Sequence, residues 1–131
     1  MQIKVRLNCC GHRITIRSTA MEIAMQTFVM LTRLTPGALQ SPRTLEQLEN
    51  KVMRHIREAC SEVEWISSYA VLGPYDYLDI FKAPDVDVAS KVSALVRTYG
   101  HAQTEIWSAT EWSHFKDVVR SLGPVVTSQR P

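Results

Sequence analysis

Apolar and polar residues fall into a regular rhythm from Gln26 onward. Thr27-Phe28-Val29-Met30-Leu31-Thr32-Arg33-Leu34 is rich in strand formers and stops at Pro36-Gly37, which predicts a first strand. Ser41-Pro42 or Thr44 opens a helix. Thr44-Leu45-Glu46-Gln47 has capping-box spacing, and Pro42 is tolerated in a first turn. Leu45, Leu48, Val52, Ile56 and Ala59 then recur at three and four residues and make one apolar face. Val63 to Leu72 reads as a second strand, Gly73-Pro74-Tyr75-Asp76 as a turn and Tyr77 to Ala83 as a third strand, so the two strands form a hairpin. Asp85 is the candidate cap of a second helix whose apolar face is Val88, Ala89, Val92, Leu95, Val96 and Tyr99, and Gly100 stops it. His101 to Ala109 is a fourth strand. Thr110 is expected to cap a last helix, with Glu111 near its N-terminus, apolar positions Trp112, Phe115, Val118, Val119 and Leu122, and a stop at Gly123-Pro124.

Strand, helix, hairpin, helix, strand is the split βαβ order, βαββαβ. With right-handed crossovers it gives a four-stranded antiparallel sheet with helices on one face and strands one and three at the centre. Both alternating sets of the first strand are apolar: Phe28, Met30 and Leu34 on one side, Val29 and Leu31 on the other. Two crossover helices cover one face only. A bare apolar face is unusual for a monomer, so a second copy is expected to cover it as an isologous dimer, unless the third helix folds over part of it.

Residues 1–24 stand apart. Ile3, Val5 and Leu7 alternate with Lys4 and Arg6, Ile14 and Ile16 alternate with Thr15 and Arg17, and Gly11 lies between, which reads as a short hairpin extension. Two other readings stay open. One is an Arg-rich, acid-poor transit peptide, against which the period of two argues. The other is a non-essential segment upstream of internal starts at Met21 or Met25. The domain proper is expected over 25–123, and 124–131 as a flexible tail.

Charge changes the picture little. The chain of 131 residues has a net charge of +2, but Lys4, Arg6, Arg13 and Arg17 face no acid in residues 1–21. Removing those four from fifteen basic residues leaves eleven against thirteen acidic ones in 22–131. The body therefore lacks the basic footprint of a nucleic-acid binder. No apolar run reaches the roughly eighteen residues of a membrane span. Cys9, Cys10 and Cys60 make no disulfide framework, which points to reduced thiols and a cytoplasmic setting.

Thr27 to Thr35, Leu72-Gly73-Pro74-Tyr75-Asp76-Tyr77-Leu78-Asp79-Ile80, Ala83-Pro84-Asp85 and Thr104-Glu105 follow one another in an order and spacing that resemble the GYD family of small bacterial domains. The resemblance covers about residues 26–122. It implies a ferredoxin-like α+β sandwich of the dimeric α/β-barrel kind, with an extra C-terminal helix here, and it implies no assigned activity. Residues 1–24 lie outside the family pattern. Asp79 also departs from it, since that strand position is usually neutral; it is exposed, paired at an interface, or part of a site.

Several residues are candidates for chemistry. Tyr75 and Asp76 would serve at a cleft as donor and as base or acceptor, or would simply hold the turn. His101 and Glu105 would form an imidazole–carboxylate pair if a regular strand puts them on one face; an exposed histidine is the simpler expectation. Arg33 in a central strand calls for a carboxylate, Asp79 or Glu105. Trp65, Tyr69, Tyr77 and Trp107 would line a pocket for an apolar ligand or anchor an interface. His55 and His114 are expected on helix surfaces, and Cys60 as a small buried residue. Cys9, Cys10 and His12 are ligand types without a second pair at zinc spacing, so no metal and no cofactor are expected. Phosphate-loop, dinucleotide, nucleophile-elbow and metalloprotease motifs are missing from the sequence.

Two functions follow as expectations. The first is a homodimeric binding or assembly domain able to hold a small apolar or aromatic ligand through Arg33, Tyr69, Tyr75, Asp76 and Trp107. The second is a cofactor-free enzyme, monooxygenase- or isomerase-like, acting on a small aromatic or polyketide-like compound. That reading needs a cavity between sheet and helices with Tyr75, Asp76, Arg33 or His101 pointing in. A weaker third is a metal- or haem-linked role for Cys9-Cys10-Gly11-His12.

Overall fold

A computed structural model of the protein describes residues 24–124 apart from residue 40. The element order is β1 (Gln26–Leu34), a 3-10 turn (Pro36–Leu39), α1 (Pro42–Ala59), β2 (Glu64–Ala70), β3 (Tyr77–Ala83), α2 (Val86–Tyr99), β4 (Ala102–Ala109) and α3 (Trp112–Arg120). The strands form one sheet in the order β2-β3-β1-β4, antiparallel at every step. This is the expected α+β, ferredoxin-like arrangement with β1 and β3 at the centre. The predicted N-terminal hairpin, with Cys9, Cys10 and His12, lies outside the described residues, as does the tail from residue 125.

The helices start where local chemistry satisfies their free N–H groups. Ser41, the earlier of the two expected caps of α1, accepts from the Thr44 N–H at 3.2 Å, and Pro42 occupies the first turn. Asp85 accepts from the Val88 N–H at 2.9 Å and starts α2. At α3 the cap is Glu111 and not Thr110. The longer glutamate side chain turns back onto the first turn, where it accepts from the His114 N–H at 3.2 Å and from the Ser113 hydroxyl.

The core lies between the sheet and α1 and α2. Phe28 and Met30 of β1 and Phe81 and Ala83 of β3 meet Val52 and Ile56 of α1 and Val88, Ala89, Val92 and Val96 of α2. Phe81 stacks on Phe28 at 5.7 Å and on Trp65 at 5.4 Å, joining three neighbouring strands through their rings. Burying side chains of this kind contributes about 1.5–3 kcal/mol each.

The two core helices are seated differently. α2 packs directly on β4 and β3, whereas α1 leans on α2 and the 3-10 turn. The contact with α2 is tight at Gly100. A Cβ there would lie 2.6 Å from the Val96 carbonyl oxygen and 3.2 Å from a methyl of Val52. Directly after it, His101 takes a left-handed backbone with φ 49°. It therefore precedes β4 and does not begin it. Its carbonyl accepts from the Thr35 N–H at 3.0 Å and the Thr35 hydroxyl at 2.9 Å, which ties the end of α2 to the end of β1.

α3 does not cover the open face of the sheet. All its residues are exposed, including Trp112, Phe115, Val118 and Val119, and it makes no extended contact with the other described elements. Among the described residues no helix is long and apolar enough to cross a membrane.

Gly100→Ala is expected to destabilise the protein by about 1–3 kcal/mol, because the added methyl meets backbone on one side and Val52 on the other. Chemical denaturation followed by circular dichroism reads this. A variant as stable as the parent would mean that α1 and α2 are not held at this distance.

Candidate functional site

The strand registers decide which side chains share a surface. On the helix side β3 contributes Tyr77, Asp79 and Phe81, and β1 contributes Phe28, Met30 and Thr32. Asp79 stands opposite Met30 on one side and Ser68 on the other, so Thr32 is its diagonal neighbour. In β2 a bulge between Trp65 and Ser67 inserts one residue. Trp65 therefore shares the helix side with Ser68, whose hydroxyl accepts from its indole N–H at 2.8 Å. The helix side is thus apolar and aromatic at the Phe28–Phe81 end and polar at the Thr32–Tyr77 end.

Over the polar end, α1 stands off the sheet and leaves a cavity of about 370 Å³. Leu45, Leu48, Val52 and Met53 of α1 form its roof, and Met30, Thr32, Ser68, Tyr77 and Asp79 its floor. Exposed Glu49, Ser68 and Ala70 mark where it reaches solvent. Two of its polar groups are poorly provided for. Thr32 is 4% exposed and its hydroxyl has no hydrogen-bond partner among the described residues, which costs about 1–3 kcal/mol. Asp79 is half-buried, and burial pushes its carboxyl up from the ordinary value; the Ser68 hydroxyl offsets part of this, and the Glu49 carboxylate adds to it. Burial first, then Asp76, Glu49 and Asp79, also push the Tyr77 phenol up.

The predicted residues at the hairpin tip gather at the other side of the sheet. Tyr75 donates to a Glu105 carboxylate oxygen at 2.6 Å, which raises its pKa above the usual phenol value. The Arg33 guanidinium lies over the Tyr75 ring at 5.3 Å, and its Nε donates to the Pro74 carbonyl at 2.7 Å. Arg33 is exposed and does not take Asp79 or Glu105 as its direct partner. Glu105 is engaged by Tyr75, and Asp79 belongs to the opposite face. Asp76 accepts from the Leu34 N–H at 2.8 Å, while its own N–H donates to the Thr32 carbonyl at 2.9 Å.

His101 and Glu105 do not meet as a pair, since His101 is in a left-handed turn and Glu105 bonds Tyr75. The four aromatics split. Trp65, Tyr69 and Tyr77 border the cavity, Tyr69 from its rim because its register opposite Leu78 turns it toward the open face, while Trp107, opposite Val29, belongs to the open face alone. His55 is not a free surface histidine: its ring stacks on Tyr99 at 3.8 Å. His114 is exposed on α3. Cys60 is buried at the end of α1, and burial raises its thiol pKa. The sequence marks Asp79 as unusual but gives no such mark to Thr32; its place on the same alternation as Phe28 and Met30 is the available signal.

A model of the GYD domain matches residues 28–119. No curated protein matches the chain. Among solved structures, the leucine response regulatory protein LrpA of Mycobacterium tuberculosis is similar at 16% identity, over 79% of this chain and 62% of that one, with a TM-score of 0.45. A feast or famine regulatory protein of M. tuberculosis complexed with L-methionine is similar at 15% identity, over 77% and 60%, with a TM-score of 0.47. The chain spans about three fifths of the length of these structures.

Asp79→Asn is expected to raise the thermal midpoint at neutral pH by a few degrees. Folding raises the Asp79 pKa above 3.8, so the folded protein holds that proton more tightly than the unfolded chain. The resulting stability is complete below that value and is lost as pH rises through the folded pKa. The advantage of asparagine should therefore shrink as pH falls toward 3.8. Melting curves across pH check it; an advantage that is constant with pH would show that the charge is not the cause.

Proposed function

The chain belongs to the GYD domain family, and on that premise we propose that it acts as a homodimeric binding and assembly module, two copies meeting through the open face of the sheet. One observation carries the reading: Val29, Leu78, Ile80, Tyr69 and Trp107 stand around the buried Leu31 on a face that no described helix covers. Tyr69 is 56% exposed and Trp107 54%. Aromatic side chains of this kind are enriched where proteins meet. A self-complementary patch on one face suits a two-fold axis, with each copy covering the other. The apolar stripe of α3, which finds no cover among the described residues, adds to the surface a second copy would shield. Tyr75 lies between Arg33, which sits over its ring, and Glu105, which accepts from its hydroxyl, and the three supply a polar margin at one end of this face.

The alternative, a cofactor-free enzyme, called for Tyr75, Asp76, Arg33 or His101 in the cavity. None of the four lines it. Their positions favour the binding reading, with ligand capacity in the cavity, which meets the proposed interface only at Tyr69.

Light scattering of the unaltered chain at micromolar concentration should give twice the protomer mass. Tyr69→Glu combined with Trp107→Glu should give a monomer with an unchanged circular dichroism spectrum, since both side chains are exposed in the protomer. A parent protein that is monomeric under these conditions would overturn the proposal.

A further inference from the structure

We propose that the cavity between α1 and the sheet binds a small apolar amine, its ammonium group held by Asp79, Thr32 and Ser68. The inference does not rest on the dimer, because these residues face the helices and the proposed interface is the opposite face of the sheet.

Three observations converge on this chemistry. The first is sign. The charged groups lining the cavity are Asp79 and Glu49; among the described lining residues none is basic. A carboxylate or phosphate ligand would be repelled there, and a cation attracted. The second is unmet hydrogen bonding. Among the described residues the buried Thr32 hydroxyl has no partner and the Asp79 carboxylate has no cation beside it. Ser68 already accepts from Trp65 but keeps a second lone pair. An ammonium group carries three donors, and these oxygens are acceptors grouped on three neighbouring strands, Ser68 opposite Asp79 and Thr32 diagonal to it. The third is shape and polarity. Leu45, Leu48 and Met53 above and Met30 below provide apolar walls, and about 370 Å³ falls at the small end of the roughly 300–1,000 Å³ typical of ligand pockets. Trp65 and Tyr77 border the same space, and aromatic rings favour a neighbouring cation.

A half-buried carboxylate without a cation is unfavourable in the empty protein, and a ligand cation is the group that would turn it into a favourable contact. A neutral ligand of the same shape would fill the walls but leave Asp79 unpaired. Discrimination between amine and alcohol is therefore the signature of the site.

The test titrates the full chain at neutral pH with phenethylamine, phenethyl alcohol and hydrocinnamate, probes of matched shape and different charge. Two-dimensional NMR reads both affinity and location. The amine is expected to shift the signals of Thr32, Asp79 and the Trp65 indole, and to bind at least about tenfold more tightly than the other two, as loss of a charge-assisted hydrogen bond implies. In Asp79→Asn, a variant expected to fold at least as well as the parent, affinity for the amine should fall about tenfold while that for the alcohol stays the same. Equal binding of all three probes, no binding by any, or shifts centred on Trp107 instead of Trp65 would overturn the proposal. None of these results bears on whether the chain is a dimer, which light scattering reads separately.

Discussion

Strands present side chains to two sides, and in this protein helices attend to only one of them. Alternation along β1 sends Phe28, Met30 and Thr32 toward α1 and α2 and sends Val29 and Leu31 the other way. Each remaining feature answers one of those two surfaces. The aromatic stack of Phe28, Phe81 and Trp65 fills the first. The second is apolar and no described helix covers it, and it is the feature from which self-association is inferred.

The helix side is itself divided, and the division comes from how the helices are seated. Gly100 lets α2 and α1 come together, and α2 in turn lies directly on β3 and β4. α1 is thereby held over the sheet by its neighbour more than by the strands beneath it. Where it stands away, the floor is polar: Ser68, Asp79, Tyr77 and Thr32. A chain selected for stability alone would close this gap with larger apolar residues. A buried hydroxyl without a partner and a carboxylate without a counter-ion are departures from local consistency of the sort that accompany functional sites.

Much of the architecture was legible in the sequence. Apolar spacing marked the four strands and three α-helices but not the 3-10 turn at Pro36–Leu39, and Ser41 and Asp85 announced their helices because short oxygen-bearing side chains satisfy the first free N–H groups. The site was less legible. Both alternating sets of the central strands are apolar in places, so alternation alone did not say which way Asp79 points. In β2 the bulge reverses the count. A strict period of two puts Trp65 and Tyr69 on the same face, whereas the inserted residue separates them and brings Trp65 to Ser68. Arg33 was expected to need a carboxylate, but the hairpin tip folds Pro74 and Tyr75 against it, a contact between residues 41 positions apart in the case of Pro74. Such partners are set by tertiary structure and leave no mark in local spacing.

The grip of Asp76 on β1 has a consequence for how the sheet assembles. Its carboxylate and its N–H together engage Leu34 and Thr32, 42 residues away for Leu34, while its carbonyl accepts from Val71 within the hairpin. A slip of β1 by one residue against β3 would turn every side chain to the wrong surface, and it would also leave this carboxylate opposite the wrong backbone group. The hairpin tip therefore acts as a gauge of alignment. Joining β1 to β3 requires closure of a long loop of chain, and the tip rewards only the pairing in which both surfaces carry their proper residues.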